Sequence, residues 1–187
     1  MFTNNQTIES KFAEPFRFTS VEGDASFEIE ERLNLLETRN PSIGILDELY
    51  RIDQSSLSGQ GRITYLKVLE KQISFIQAWY QESIVFVAGV EASEADGIYE
   101  GFDAREREEV SAALRIAPIT AQNRIDVARA LAVHLPVSCT ALANGEITSA
   151  QATAIAREMA PLIKAGTHPE IINRVETVAV EIGRAHV

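Results

Sequence analysis

The chemistry that this sequence offers most clearly is the recognition of DNA bases, in a segment beyond the middle of the chain. Gln122, Asn123 and Arg124 follow one another, and amide and guanidinium groups are the side-chain types that pair bidentately with adenine and guanine. A break at Ala117-Pro118 precedes them, at the spacing of a helix-turn-helix, whose second helix lies in the DNA major groove. The candidate DNA-contacting residues, including two arginines placed to reach phosphates, are Arg115, Gln122, Asn123, Arg124 and Arg129.

Two features of the same segment count against DNA recognition. Arg115 occupies the turn position where helix-turn-helix motifs favour glycine, and the carboxylate of Asp126 would repel a phosphate. A pair of helices joined by a proline turn is also an ordinary part of a helical bundle. Residues 104–135 therefore have two interpretations, a surface that faces nucleic acid and two bundle helices.

No group of residues in the sequence has the pattern of a catalytic or metal site. His134, His168 and His186 have no carboxylate or second histidine at a metal-ligand spacing. Cys139 lies among alanines and leucines with no neighbouring base, which is typical of a small core residue. We therefore expect no catalytic residue, no metal, no cofactor and no small-molecule substrate, and we do not expect this chain to be an enzyme.

The charge of the chain is distributed unevenly. The net charge is -10 at pH 7, and residues 1–103 hold 8 Lys or Arg against 18 Asp or Glu, whereas residues 104–187 are balanced. A nucleic-acid-binding protein normally has a basic surface, because contacts to phosphate supply most of its affinity. Only the later half of the chain is therefore compatible with approach to a phosphate backbone.

Length and composition favour one folded domain in a reducing compartment. The 187 residues, 45% hydrophobic and 24% charged, are sufficient for an ordinary core. The single cysteine excludes an internal disulfide, and the N-terminus lacks the pattern of a signal peptide. The longest apolar run, Ile84 to Val90, is far shorter than the roughly 20 residues that cross a membrane. We expect a cytoplasmic protein without a membrane partner.

The strongest periodic pattern predicts one long amphipathic helix over about residues 58–90, with Ser58 as its cap. Apolar residues recur along it at steps of three or four. Such a helix is either the spine of a bundle, with this face inward, or a surface for coiled-coil dimerisation. The candidate interaction face consists of Ile63, Leu66, Ile73, Ile76, Tyr80 and Ile84.

The organisation that these signals predict is an all-α, multi-helix bundle with one long amphipathic helix and a helix-turn-helix-like pair. Residues 1–40 form a polar and acidic N-terminal arm with one possible helix, and residues 41–187 form the helical domain. Within that domain, the long helix is followed by an acidic link at 91–103 and by a helical half at 104–187.

Short-range signals place the helix ends in this later half. Thr120 is expected to cap one helix, and Thr148 with Gln151 has the pattern of a capping box for another. Thr167, with a glutamate three residues later, predicts the start of the last helix. Gly145 is expected to take the left-handed position that follows a helix C-terminus.

Several segments of the later half are similar to a known family. They are Glu-Val-Ser-Ala-Ala-Leu-Arg-Ile-Ala-Pro at 109–118, Val-Ala-Arg-Ala-Leu at 127–131 and Leu-Ala-Asn-Gly-Glu-Ile-Thr at 142–148. With them, the stretch from Glu108 to Leu162 resembles the bacterial thirteen-E-twelve repeat proteins, and more narrowly their N-terminal domain of unknown function 222. The long helix and Leu-Asp-Glu-Leu at 46–49 fit more loosely, so the likeness covers roughly residues 43 to 182.

Members of that family commonly continue into an HNH nuclease module, in which histidines and an asparagine hold a divalent metal. This sequence contains no such motif, so no catalytic residue is carried over. The resemblance implies a non-catalytic helical module that helps to place a nuclease on DNA. The alternative is a module for protein-protein interaction or dimerisation through the long helix. The expected partners are accordingly duplex DNA, a second copy of the chain or a C-terminal HNH module.

Overall fold

The computed structural model describes residues 24–90 and 104–185, and these ranges contain eight α-helices and no β-strand. The helices are α1 (Asp24–Thr38), α2 (Ile43–Arg51), α3 (Gly59–Ala88), α4 (Ala104–Leu114), α5 (Pro118–Arg129), α6 (Pro136–Ala143), α7 (Ser149–Lys164) and α8 (Pro169–Arg184). A 3-10 turn at Gln54–Ser56 precedes α3, and a π-helical turn at Ala130–His134 joins α5 to α6. The predicted all-α bundle is confirmed, whereas the acidic link and His186 lie outside the described residues.

Three predicted helix ends are confirmed by local hydrogen bonds. The hydroxyl oxygen of Ser58 accepts from the N–H of Gly61 at 3.1 Å and caps α3. Thr148 and Gln151 form the predicted capping box at the start of α7. Gly145, with φ of 67°, adopts the left-handed conformation after α6. These features depend only on residues within one turn, so the sequence was sufficient to predict them.

Two other predicted caps were wrong. α5 begins at Pro118, ahead of Thr120, and it has no side-chain cap. α8 begins at Pro169, and the residue that caps it is His168 rather than Thr167. In both helices proline occupies the first position, where its missing N–H costs no hydrogen bond and its fixed φ suits the helix. The preference of proline for the first helical position therefore outweighs the preference of threonine for the N-cap.

α3 contacts both halves of the chain. Its first half packs against α1 and α2, where Tyr65 and Val68 join a buried cluster that includes Leu33 of α1. Its last turns pack against α4 and α5, where Ile84 is buried. At about 3.6 residues per turn, Val68 and Ile84 point to nearly opposite sides of the helix. α3 is therefore the spine of the fold, with one core on each side of it.

Most of the face of α3 that the periodicity selected does not pack in either core. The exposed fractions are 52% for Ile63, 64% for Leu66, 43% for Ile73 and 37% for Ile76. Tyr80 is half-buried, and Ile84 is the one fully buried residue of the six. The expectation that a spine helix would turn these residues inward was therefore wrong for the first four.

Much of the buried side of α3 consists of small and polar residues rather than of the predicted apolar ones. Thr64, Gln72 and Ser74 are buried. The side-chain oxygen of Gln72 accepts from the N–H of Ser42 at 3.0 Å, just before α2. Such residues give no apolar periodicity, so a hydrophobic pattern cannot locate this face.

The C-terminal core is formed by α5, α6, α7 and α8, with Leu131, Leu135 and Leu142 among its buried residues. No single helix of the described ranges is long and apolar enough to cross a membrane. α5 with its π-helical turn meets that criterion only together with α6, and the two are bent by 104° relative to each other.

One acidic side chain lies inside this core. Glu176 of α8 is 0% exposed, and its carboxylate accepts the N–H of Ser138 at 2.6 Å, in the first turn of α6. Its second oxygen, Oε2, has no hydrogen-bond partner among the described residues. Burial raises the pKa of this carboxyl above its ordinary value, and the hydrogen bonds from α6 offset only part of that effect.

We expect the contribution of Glu176 to the free energy of unfolding to fall as the pH rises. The folded chain keeps the proton to a higher pH than the unfolded chain, whose carboxyl titrates near 4.5. Stability from this group is therefore greatest below that value and is lost as the pH rises through the raised folded pKa. Glu176→Gln removes the titration but keeps an oxygen for Ser138, so it should gain stability relative to wild type as the pH rises.

Urea unfolding between about pH 4 and pH 8 measures this difference. Glu158→Gln is the matched control, because Glu158 is exposed on α7, and its pH profile should follow that of the wild type. Parallel profiles for Glu176→Gln and wild type would contradict the assignment.

Candidate nucleic-acid interface

α4 and α5 are the helix pair that the sequence predicted, and residues 115–117 join them. The two helices pack against each other, and Arg115 adopts φ of 54°, in the left-handed region for which glycine is the favoured residue. The N–H of Ile116 donates to the carbonyl oxygen of Ser111 at 3.1 Å, and the Ser111 hydroxyl donates to the carbonyl of Ile116 at 2.6 Å. An arginine therefore takes the glycine-like conformation of the turn, and two hydrogen bonds stabilise it.

The three consecutive polar residues of α5 have different environments. Asn123 and Arg124 are exposed, whereas Gln122 is only 7% exposed. The amide nitrogen of Gln122 donates to the carboxylate of Asp126 at 2.9 Å. The expectation that Gln122 contacts a base edge is therefore wrong, because its side chain faces the bundle and its amide already has a partner one turn along the helix.

Arg129 is part of the bundle rather than a free cation. Its guanidinium forms an ion pair with Glu106 of α4, and it donates to the carbonyl oxygens of Ala88 and Gly89 at the end of α3. The side chains of Arg129 and Glu106 are only 14% and 18% exposed. The expectation that Arg129 binds a phosphate is corrected accordingly, because its charge is neutralised inside the fold.

The exposed side of α5 faces a groove whose other wall is α7. Two cavities, of about 580 and 430 Å³, share Asn123, Val127 and Arg157 in their linings and so form one continuous depression. We call this depression the basic groove. Its polar lining residues include Tyr80, Thr120, Asn123, Arg124, Asp126, His134, Thr153, Arg157 and Lys164.

The basic groove carries a net positive charge, because Arg124, Arg157 and Lys164 outnumber the one carboxylate among its described lining residues, Asp126. Among the described residues, no carboxylate forms an ion pair with Arg124, Arg157 or Lys164. Arg124 donates to the hydroxyl of Tyr80 at 2.7 Å, and its guanidinium lies 5.9 Å from the centroid of that ring. Tyr80 positions the guanidinium without cancelling its charge. Asp126 is the acidic residue in the lining; the neutral amide of Gln122 binds its carboxylate, which keeps its negative charge and offsets one of the three cations.

Sequence reasoning missed Arg157 and Lys164, which are two of the three groove cations that form no ion pair with a described carboxylate. They lie seven residues apart on α7, and Thr153 lies four residues before Arg157. Steps of four and seven place all three on one face of a helix. This polar stripe was available in the sequence, but nothing in it indicated that the stripe faces Arg124.

The candidate interaction face on α3 is divided by the fold. Tyr80 and Ile84 contact α4 and α5 within the same chain. The exposed part, from Ile63 to Ile76, is therefore shorter than the sequence predicted. Sequence reasoning also missed two exposed aromatic residues on another side of α3, Trp79 at 57% and Phe86 at 83% exposed.

The described part of the chain contains no group of three or more His, Cys, Asp or Glu side chains arranged to hold a metal ion. Comparison of the whole sequence with protein-family models and curated proteins, and of the structure with solved structures, found no match.

Proposed function

We propose that this chain is a non-catalytic helical module that associates with DNA and that binds the phosphate backbone in the basic groove. The observation that carries the proposal is the convergence of Arg124, Arg157 and Lys164 on one depression, none of them in an ion pair with a described carboxylate. This local positive charge occurs on a chain whose net charge is -10. Field lines from clustered cations in a concave site attract a polyanion even when the whole protein repels it.

The polar lining supports phosphate contacts more strongly than base recognition. Guanidinium and ammonium groups bind phosphate oxygens, and the hydroxyls of Thr120 and Thr153 and the amide of Asn123 are further donors of the kind that position a backbone. Asn123 and Arg124 remain the residues on α5 that are accessible to a base. The resemblance to the N-terminal region of HNH-nuclease-associated proteins supports DNA as the polyanion and placement of a nuclease as the role.

Neutralising the groove is expected to abolish most of the binding. In the triple variant Arg124→Ala, Arg157→Ala, Lys164→Ala, about three phosphate contacts are lost, so the slope of log K against log salt should become less negative by about 2 to 3. The affinity for duplex DNA at about 50 mM salt should fall at least about 100-fold. Fluorescence anisotropy of a labelled duplex over a salt series measures both quantities.

Arg39→Ala is the matched control, because Arg39 is an exposed cation after α1 that does not line the basic groove, and it should bind like wild type. Circular dichroism checks that the triple variant keeps its helical content. No binding by wild type at about 50 mM salt, where phosphate contacts are strongest, would refute the proposed function. Equal binding by the triple variant would refute the groove as its site.

A dimerisation module that acts through α3 is the second candidate. The observation that favours it is the exposure of Ile63, Leu66, Ile73 and Ile76 on one side of that helix. Solvent-exposed apolar patches on a soluble surface mark interaction sites when they are contiguous. Because Tyr80 and Ile84 contact α4 and α5, the dimer contact would be confined to the first half of α3.

A further inference from the structure

The last helix carries a second apolar stripe, separate from the side that packs in the core. The exposed fractions are 54% for Ile171, 41% for Val175, 52% for Val178 and 58% for Ile182. The steps of four, three and four between them follow the d-a-d-a positions of a heptad repeat. The buried side of α8, with Ile172 and Val180, lies roughly a third of a turn away. We call these four residues the α8 seam.

We propose that the α8 seam is a self-association surface, on which a second copy of the chain binds through its own α8 in antiparallel orientation. In that arrangement each apolar residue meets an apolar residue of the partner helix. Ile171 and Ile182 are equally distant from the midpoint of the seam, between Glu176 and Thr177, and so are Val175 and Val178. A twofold axis at that midpoint therefore pairs Ile171 with Ile182 and Val175 with Val178.

Charge complementarity selects the antiparallel orientation. Arg174 and Glu181 occupy successive g positions beside the seam, both are exposed, and neither is in an ion pair with another described residue. In an antiparallel pair, g positions face g positions. Measured along the helix axis, Arg174 then lies about 3 Å from Glu181 of the other copy. Helical side chains also lean toward their own N-terminus, which moves these two groups toward each other. The twofold axis generates a second, identical pair between Glu181 of the first copy and Arg174 of the other.

A parallel pair of α8 helices would form neither of the two symmetric ion pairs between Arg174 and Glu181. There the g positions face e positions, which in α8 are Ile172 and Ala179. Ile172 is buried in the core of its own chain and Ala179 packs against it, so neither complements Arg174 or Glu181. The seam is short, at four residues of a helix of 16, so the dimer is expected to be weak, with a dissociation constant on the order of 100 µM.

Sedimentation equilibrium of the full chain over a concentration series tests the proposal. Wild type should dimerise, and Val175→Asp with Val178→Asp should be monomeric. The helical content by circular dichroism should not change, because both positions are exposed. A monomeric wild type at about 0.5 mM, above the dissociation constant expected for so small a contact, would overturn the proposal.

A charge exchange tests the orientation. Arg174→Glu alone, or Glu181→Arg alone, should raise the dissociation constant about tenfold, because both symmetric pairs become repulsive. The two changes together should restore the wild-type value, and failure to restore it would overturn the antiparallel arrangement. Ile73→Asp with Ile76→Asp is the control, because it removes the α3 face instead. If that variant alone dissociates the dimer, the second candidate function is correct and the α8 seam is not.

The outcome is independent of the basic groove. None of the four seam residues lines that groove, so loss of DNA binding and loss of dimerisation are separate results in the seam variants. Ile76 does line the groove, so the variant Ile73→Asp with Ile76→Asp is used to measure dimerisation alone.

Discussion

Replacement of Arg129 by alanine is expected to lower the free energy of unfolding by about 3 kcal/mol. The guanidinium on α5 binds Glu106 on α4 and the carbonyl oxygens of Ala88 and Gly89 at the end of α3. Ala88 is the last residue of α3 and Gly89 is its C-cap, so no N–H of that helix follows to bind these carbonyls. Alanine therefore removes a contact among three helices and leaves a carboxylate that is only 18% exposed without its arginine.

Urea denaturation of wild type and variant measures this loss. Arg51→Ala is the matched control, because it breaks an ion pair with Asp47 whose side chains are 74% and 57% exposed, and such pairs contribute less than about 0.5 kcal/mol. A variant Arg129→Ala that is as stable as wild type but binds DNA more weakly would show that Arg129 contacts phosphate, as its position in the sequence first suggested.

Replacement of Gly145 by alanine is expected to lower the free energy of unfolding by about 2 to 4 kcal/mol, because two unfavourable effects add. Its φ of 67° is unfavourable for a residue with a side chain, at about 1 kcal/mol. A Cβ atom at this position would also lie 2.8 Å from the Cβ, 2.9 Å from the Cα and 3.0 Å from the carbonyl oxygen of Lys71. Because the Cα and carbonyl belong to the backbone of α3, the turn between α6 and α7 must shift, and such shifts cost typically about 1 to 3 kcal/mol.

Gly166→Ala is the control for the cost of the positive φ alone, without the steric contact. Gly166 also has a positive φ, 68°, but a Cβ built there meets no heavy atom within 4 Å. Gly166→Ala should therefore cost only about 1 kcal/mol. Thermal unfolding of both variants measures the difference, and a chain of this length is expected to lose about 2 to 4 °C per kcal/mol. Equal effects at the two glycines would contradict the close packing of Gly145 on Lys71.

The turn at Arg115 shows how much of the candidate interface the sequence predicted. The spacing of apolar residues around Pro118 was sufficient to predict two helices and the special position between them, and φ of 54° at Arg115 confirms that position. The accessibility of Asn123 and Arg124 also agrees with their expected place on α5. Whether they contact DNA remains a prediction.

The errors at Gln122 and Arg129 have a common physical cause. Amide and guanidinium groups bind partners of any origin, and a partner within the fold already binds the side chain of both residues. For Gln122 that partner is Asp126, one turn away. For Arg129 it includes the backbone of Ala88 and Gly89, about forty residues earlier in the chain. The identity of a polar residue therefore indicates what it can bind, but not which group satisfies it.

The amino-acid sequence alone determined the helical class of the described chain and several helix ends, because these depend on interactions within one or two turns. The caps at Ser58 and Thr148 and the left-handed Gly145 are of this kind. The tertiary structure alone decided which side of α3 is buried and that Arg124 of α5 faces Arg157 of α7. The reason is that α3 has apolar residues on several sides, and only the neighbours that pack against it, contributed by distant segments, select among them.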